Sequence, residues 1–155
     1  MSLTLQLLYP PSANRYWQTR VMNAVSAGGR PMATTYISGE AKAFKADVLR
    51  RARAAGITEP IVGRIKLEIW LYPSRPQDWE RRVRKLGPEW DDGVLCLDLD
   101  NANKVLLDAL KGVAFDDDKW VRQLLAQRME PDGNGARVLV RITAIPAAQP
   151  QEVLL

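Results

Sequence analysis

Apolar positions recur along this chain with two alternating periods, and the alternation predicts its elements. Leu3 to Leu8 reads as a short strand, ended by Pro10 and Pro11. A helix of about 39 to 55 follows Ser38, an N-cap residue type, and closes at Gly56. Ala41, Phe44, Val48, Ala52 and Ala55 form its buried face, while Lys42, Lys45, Arg50, Arg51 and Arg53 decorate the rest as a solvated cationic surface. From 61 to 72 the period changes to two. Ile65, Leu67, Ile69 and Leu71 point one way, and Arg64, Lys66, Glu68, Trp70 and Tyr72 the other. Such a half-covered strand is more typical of antiparallel than of buried parallel sheet. Helical spacing returns at Ala102, Val105, Leu106, Ala109 and Leu110, predicting a helix of about 101 to 112 with Asp100 and Asn101 as N-cap types and Gly112 as the stop. Two strands, 120 to 129 and 136 to 145, end the pattern, joined as a hairpin through Pro131 to Gly135.

The order strand, helix, strand, helix, strand, strand predicts an α+β fold. Its mixed, largely antiparallel four-stranded sheet packs against two main helices, with a short inserted basic helix in addition. Residues 1–145 are expected to form one domain, 73–93 to be an insertion within it, and 146–155 to be a loose Pro/Gln/Ala-rich tail whose end, 153–155, docks or stays free. Residues 22 to 36, with Gly28, Gly29 and Pro31, show no clear period and read as a mobile loop. In the insertion, Pro76 suits a first helical position and Asp78 and Glu80 the positive end of a helix dipole. Arg81, Arg82, Arg84 and Lys85 suit the other end, beside a narrow stripe of Trp79, Val83 and Leu86.

Composition narrows the chemistry. The 155 residues contain no histidine, which removes Ser-His-Asp and Cys-His machinery and histidine-ligated zinc. The single Cys96 rules out an intrachain disulfide, and its apolar neighbours suggest a core thiol. No apolar run is long enough to span a bilayer and no signal-like segment opens the chain, so a cytoplasmic protein is expected. The net charge of +4 and pI near 9.4 suit a polyanionic partner, and charge is segregated along the sequence around an acidic centre.

That centre is Cys96 to Trp120. Asp98 and Asp100 are two residues apart, so on extended backbone both carboxylates share a face. Lys104 lies one helical turn beyond Asp100. After the helix stop come Asp116, Asp117 and Asp118. The helix spans about 18 Å, and residues 113–118, if extended, reach back about 20 Å, enough to return the second acid group to the first. Carboxylates so gathered call for a hard divalent cation such as Mg²⁺, Mn²⁺ or Ca²⁺. The residues alone also allow a plainer account, in which Asp100 is an N-cap, Lys104 its salt-bridge partner and 116–118 a solvated turn.

Asp-Leu-Asp-Asn at 98–101, Lys104, Asp-Ala-Leu at 108–110 and Phe-Asp-Asp-Asp at 115–118 resemble the signature of RusA-type Holliday junction resolvases. Pro-Pro-Ser-Ala-Asn-Arg-Tyr-Trp at 10–17 is similar to that family's N-terminal motif. The resemblance implies a small homodimeric, Mg²⁺-dependent endonuclease, with Mn²⁺ as a substitute ion, that resolves four-way DNA junctions by paired symmetric nicks. It further implies a bacterial, phage or prophage setting, branched DNA as partner, and neither a membrane nor a nucleotide cofactor. Asp98 and Asp100 then match the metal-binding acids and Asp118 the third, with Asp117 its competitor. Lys104 matches the catalytic lysine and Asn101 the supporting asparagine. One departure stands out: Val94, Leu95, Cys96 and Leu97 precede the acid motif where arginines are common in the family.

DNA contacts are therefore expected from Asn14, Arg15 and Arg20, and from Arg81, Arg82, Arg84 and Lys85 of the inserted helix. The mobile loop of 22–36 is open to ordering on DNA. For Tyr16 and Trp17, base stacking and core packing are both open. A free lysine titrates near a pKa of about 10.4, so Lys104 suits charge stabilisation better than proton abstraction. The rival functions are a nuclease for flaps or forks, a branched-DNA-binding module that does not cut, and a protein whose cation is structural.

Overall fold

The computed structural model describes residues 1–25 and 28–150, with the side chains of 22–27 outside that description. Strand β1 (Ser2–Leu8), a one-turn helix α1 (Ala13–Tyr16) and strands β2 (Trp17–Val25) and β3 (Pro31–Ile37) open the chain. Helix α2 (Gly39–Ala54), strand β4 (Ile65–Tyr72), helix α3 (Trp79–Leu86) and helix α4 (Leu99–Leu110) follow. Strands β5 (Val121–Arg128) and β6 (Arg137–Ala144) end it. Among the described residues no helix is long and apolar enough to cross a membrane.

The main sheet runs β1-β6-β4-β5. β6 is antiparallel to both of its neighbours, whereas β4 and β5 are parallel, so the fold is α+β with a mixed, largely antiparallel sheet as the periods predict. One sheet face carries Leu5, Leu7, Ile65, Leu67, Ile69, Leu71, Val138, Val140 and Ile142, all buried. Against it lie Phe44 and Val48 of α2 and Val105, Leu106 and Leu110 of α4, in a single core. Burial of each such side chain contributes about 1.5–3 kcal/mol, which is why two amphipathic helices suffice to fix the sheet. The opposite face keeps polar and aromatic residues. There Arg137 lies 4.0 Å over the Tyr72 ring and Arg141 5.2 Å over Trp70.

Helix α2 starts where its cap predicts: Ser38 Oγ accepts the Ala41 N–H at 3.1 Å. Gly56, at φ 88°, turns the chain out of the helix in a conformation other residues avoid. Ala55, expected on the buried face, is exposed beyond the last turn.

Several expectations are corrected. Residues 131–135 do not close a hairpin, because β4 lies between β5 and β6. Asp132 instead anchors the connection by pairing with Arg137 at 2.8 Å. Most of the expected 22–36 loop belongs to a separate two-stranded sheet of β2 and β3, while 26–27 lie outside the described residues, as do 151–155 of the tail. Helix α3 begins at Trp79 rather than near Pro76. Asp78 precedes it without a side-chain cap bond, its carboxylate engaged by Arg81 and Arg82 at 3.0 and 2.9 Å. Helix α4 begins two residues early, with Asp98 rather than Asp100 or Asn101 at the N-cap.

The largest correction concerns 113–118. This segment is not extended but folds as a turn beside the C-terminal end of α4. Gly112 N–H donates to the Phe115 carbonyl at 2.7 Å, Ile61 N–H to Ala114 at 3.0 Å and Asp116 N–H to Ile61 at 3.1 Å. Phe115, fully buried, pins the turn to the core. Phe115→Ala should therefore cost about 3–5 kcal/mol, measured as a lowered urea midpoint. An unchanged midpoint would show that the turn is held by its backbone bonds alone.

Candidate active site

Topology decides where the acids go. A helix that links two parallel strands starts near the end of the first and finishes near the beginning of the second. Accordingly α4 begins where β1 and β4 terminate, and the turn after it lies where β4 and β5 begin. Asp98 and Asp100 sit at the first site, Asp116, Asp117 and Asp118 at the second. Within one chain the two groups are held apart by the length of α4, about 18 Å at 1.5 Å per residue. Among the described residues no group of three or more Asp, Glu or Cys side chains is close enough together to hold a metal ion.

The first site is the more open chemically. Asp98 is extended at φ −62° and ψ 142°, and its carbonyl accepts the Ala102 N–H at 3.0 Å. Its carboxylate makes no capping bond to the helix it precedes. Asp100, in the first turn, is exposed, as are Asp98 and Lys104. Among the described residues none of these three side chains is engaged in an ion pair or hydrogen bond. Neither the expected cap role of Asp100 nor an Asp100–Lys104 salt bridge is formed. Two unpaired carboxylates at the positive end of a helix dipole, followed one turn on by a lysine, remain available to an external ligand. The carboxylates also suit the donor set of Mg²⁺, which commonly takes one or two protein carboxylates and fills its remaining positions with water and substrate phosphate.

Neighbouring elements hold this site firmly. Asn101 Oδ1 accepts the Ala13 N–H, joining α4 to the Pro-Pro-Ser-Ala-Asn-Arg segment. Ser12 caps α1 by accepting the Arg15 N–H at 3.3 Å. The approach to Asp98 is clamped at two points. Arg128 donates to the carbonyls of Asp91 and Val94 at 2.8 and 2.9 Å, and the Tyr9 hydroxyl accepts the Leu97 N–H at 2.7 Å. Tyr9 also donates to Cys96 Sγ at 3.7 Å, so Cys96 is half-buried beside a hydroxyl rather than a free nucleophile. Beside Leu97 opens a cleft of about 440 Å³ lined by Tyr9, Pro11, Ser12, Arg15 and Phe44.

Neither Tyr9 nor Arg128 stands out by residue pattern, and Asp108, though part of the Asp-Ala-Leu signature, carries no role there; each matters through long-range partners. Tyr16 is fully buried, which settles its reading as core, and its hydroxyl donates to Asp108 Oδ2. Lys45 lies 3.6 Å from the same oxygen. Trp17 meets the Tyr16 ring edge-on at 4.5 Å.

The second site is partly offset by one lysine. Lys111 Nζ lies 3.6 Å from Asp117 and 3.5 Å from Asp118. Attraction to Asp117, then to Asp118, raises the Lys111 pKa above its ordinary value. The Lys119 N–H that Asp117 accepts, at 3.1 Å, leads the causes holding that carboxyl below its usual range. Asp118 is the more exposed of the two.

Of the expected DNA contacts, Asn14 and Arg15 stand exposed on α1, Arg15 paired with Glu40 at 3.0 Å, and Arg20 is exposed on β2. On α3, Arg84 and Lys85 are exposed while Arg81 and Arg82 share Asp78.

The sequence profile of the endodeoxyribonuclease RusA family matches residues 8–143. The match spans the N-terminal motif, both acid groups, β4 and β5, and all but the last residue of β6. The chain belongs to the RusA endodeoxyribonuclease family, whose members resolve Holliday junctions. No curated protein matches it.

Two phenols, half-buried Tyr9 and buried Tyr16, predict an alkaline limit to stability. Burial foremost pushes Tyr9 up to about 12, against the Leu97 N–H bond that lowers it. Burial first, and then the bond to Asp108, raises Tyr16 as well. A raised phenol contributes stability that is complete below the unfolded pKa of about 10 and is lost as pH climbs through the folded value. Melting temperature should therefore fall above about pH 10. Tyr16→Phe should cost about 2 kcal/mol near neutrality and flatten the alkaline limb. Equal alkaline slopes for the two proteins would refute that assignment.

Proposed function

We propose that this protein is an Mg²⁺-dependent Holliday junction resolvase that acts as a homodimer and makes paired, symmetric nicks. The observation that carries this reading is the pair of free carboxylates, Asp98 and Asp100, rigidly presented at the start of α4 with Lys104 one turn away, in a chain that belongs to the RusA family. Asp98 and Asp100 would hold the ion; when bound, it supplies Lewis-acid stabilisation of the phosphate and of the attacking water. Lys104 faces the phosphate and offsets the charge that develops in the transition state. Asn101 is a positioning residue, since its side-chain oxygen is committed to Ala13. Arg84 and Lys85 of α3, with Asn14 and Arg15 of α1, supply phosphate contacts.

The separation of the acid groups gives the homodimer a chemical role. A two-fold axis crossing α4 near its middle brings the beginning of one copy's helix beside the turn that follows the other's. Asp118, with Asp117 as the alternative, then completes the acid set of the second copy. A four-way junction has near two-fold symmetry and requires two cuts, which two such composite sites provide.

Nicking of a labelled four-way junction in Mg²⁺ tests the catalytic assignment. Wild-type protein should give paired nicks, and Asp100→Asn and Lys104→Met should each lower the rate by 100-fold or more, roughly the effect of losing one transition-state contact. Undiminished nicking by Asp100→Asn would remove the metal assignment, and faster cutting of flaps or forks than of four-way junctions would favour the broader branched-DNA reading. Mixing Asp100→Asn with an Asp117→Asn/Asp118→Asn double variant separates composite from single-chain sites. Shared sites restore one intact centre per mixed dimer and with it nicking of one strand; sites within a chain restore none.

A further inference from the structure

The β2–β3 hairpin touches the core at its root and otherwise stands out from it. Its register pairs Trp17 with Ile37, Gln18 with Tyr36, Thr19 with Thr35 and Arg20 with Thr34. Only the first pair is anchored, Trp17 and Ile37 packing half-buried against the core. Beyond it the ribbon is exposed on both faces: Thr19, Val21 and Thr35 on one, Gln18, Arg20, Met32 and Tyr36 on the other. Val21 is 64% exposed and Met32 50%. A two-stranded sheet with so many of its described side chains exposed gains little from burial, which leaves its faces open to a partner.

Charge indicates what that is. Between Tyr9 and Glu40 there is no Asp or Glu, against three arginines, Arg15, Arg20 and Arg30. This is a marked asymmetry in a protein that carries 18 acidic residues to 22 basic ones. Arg20 and Arg30 are both exposed on the ribbon. The ribbon is also attached at the right place. Ser38, which follows β3, donates its N–H to the Tyr16 carbonyl at 2.9 Å and its hydroxyl to the Arg15 carbonyl. Ala13, one turn earlier, is bonded to Asn101, the neighbour of Asp100. The root of the arm is therefore tied along α4, through Ala13 to Asn101 at the end that presents the candidate catalytic acids and through the Tyr16 hydroxyl to Asp108 further along. It extends about 23 Å over the seven residues of β3. A two-stranded antiparallel ribbon fits the major groove of a DNA duplex.

We infer that the β2–β3 hairpin is a DNA-clasping arm that lies along a duplex branch next to the cut, with Arg20 and Arg30 on backbone phosphates and the Gln18, Met32 and Tyr36 face toward the groove. This rests on the nuclease reading above. It assigns to the ribbon the electrostatic grip that the apolar Val94–Leu97 approach to the acids does not provide.

The test uses the full-length chain and a four-way junction in Ca²⁺, followed by gel retardation across a salt series. Each phosphate contact contributes about 0.9 to the slope of log affinity against log salt. Arg20→Ala/Arg30→Ala should lower that slope by about 1.8 and weaken binding at moderate salt. Arg53→Ala, which removes a charge from the far end of α2, should leave the slope unchanged. Melting temperature and sedimentation mass of the double variant should equal those of the wild type. Unchanged slope in the double variant overturns the arm proposal while the nuclease reading stands. A double variant that sediments as a monomer also overturns it, by assigning the ribbon to contact with a second copy. Failure of the wild type to bind any branched DNA removes the nuclease reading itself.

Discussion

Everything at the candidate site follows from the parallel pairing of β4 with β5. Parallel neighbours need a crossover, and here α4 is its last part. A crossover helix carries whatever precedes it to one edge of the sheet and whatever follows it to the other. The core enforces the arrangement, because Val105, Leu106, Ala109 and Leu110 have no alternative apolar surface to cover. One sequence motif, contiguous in spirit from Asp98 to Asp118, is thus split into two physical places. Among the described residues the acids at the helix start have no ion-pair partner, whereas Asp117 and Asp118 after its finish share Lys111, which offsets only part of their charge.

The main sheet and both long helices were legible in the sequence, and for a physical reason. Periods of two and 3.6 are imposed by burial, and β1, β4, β6, α2 and α4 each bury one face on the same core, while the edge strand β5 only leans on it through Val121 and Ala126. What escaped was structure not specified by burial. The β2–β3 ribbon has no apolar period because most of its described side chains are exposed, so residues 22–36 resembled a loop. The connection through Pro131 to Gly135 has the composition of a hairpin turn, yet composition carries no information about which strand intervenes, and β4 does. The two-residue shift of α4 arose because Asp98, Asp100 and Asn101 are all good cap residues, and only backbone geometry selects among them.

The acids themselves were legible; their separation was not. Residues 113–118 are long enough to return to the helix start if extended, and nothing in their polarity forbids it. The decisive residue is Phe115, whose ring is worth more buried beneath the sheet's end than the segment would gain by stretching. Tyr9, Asp108 and Arg128 were missed for a related reason. Each acts through a partner between 34 and 92 residues away, and such pairs leave no local signature.

The double clamp on the approach to Asp98 has a consequence for variation. Arg128 fastens the chain at Asp91 and Val94, and Tyr9 fastens it again at Leu97. Everything from Pro73 to Trp90 hangs upstream of those two fixed points, with Trp90 moored separately to Glu130. Lengthening, shortening or exchanging that excursion is mechanically insulated from the carboxylates only a few residues downstream. The fold thus allows that excursion to change in length and charge while the presentation of Asp98 and Asp100 stays fixed.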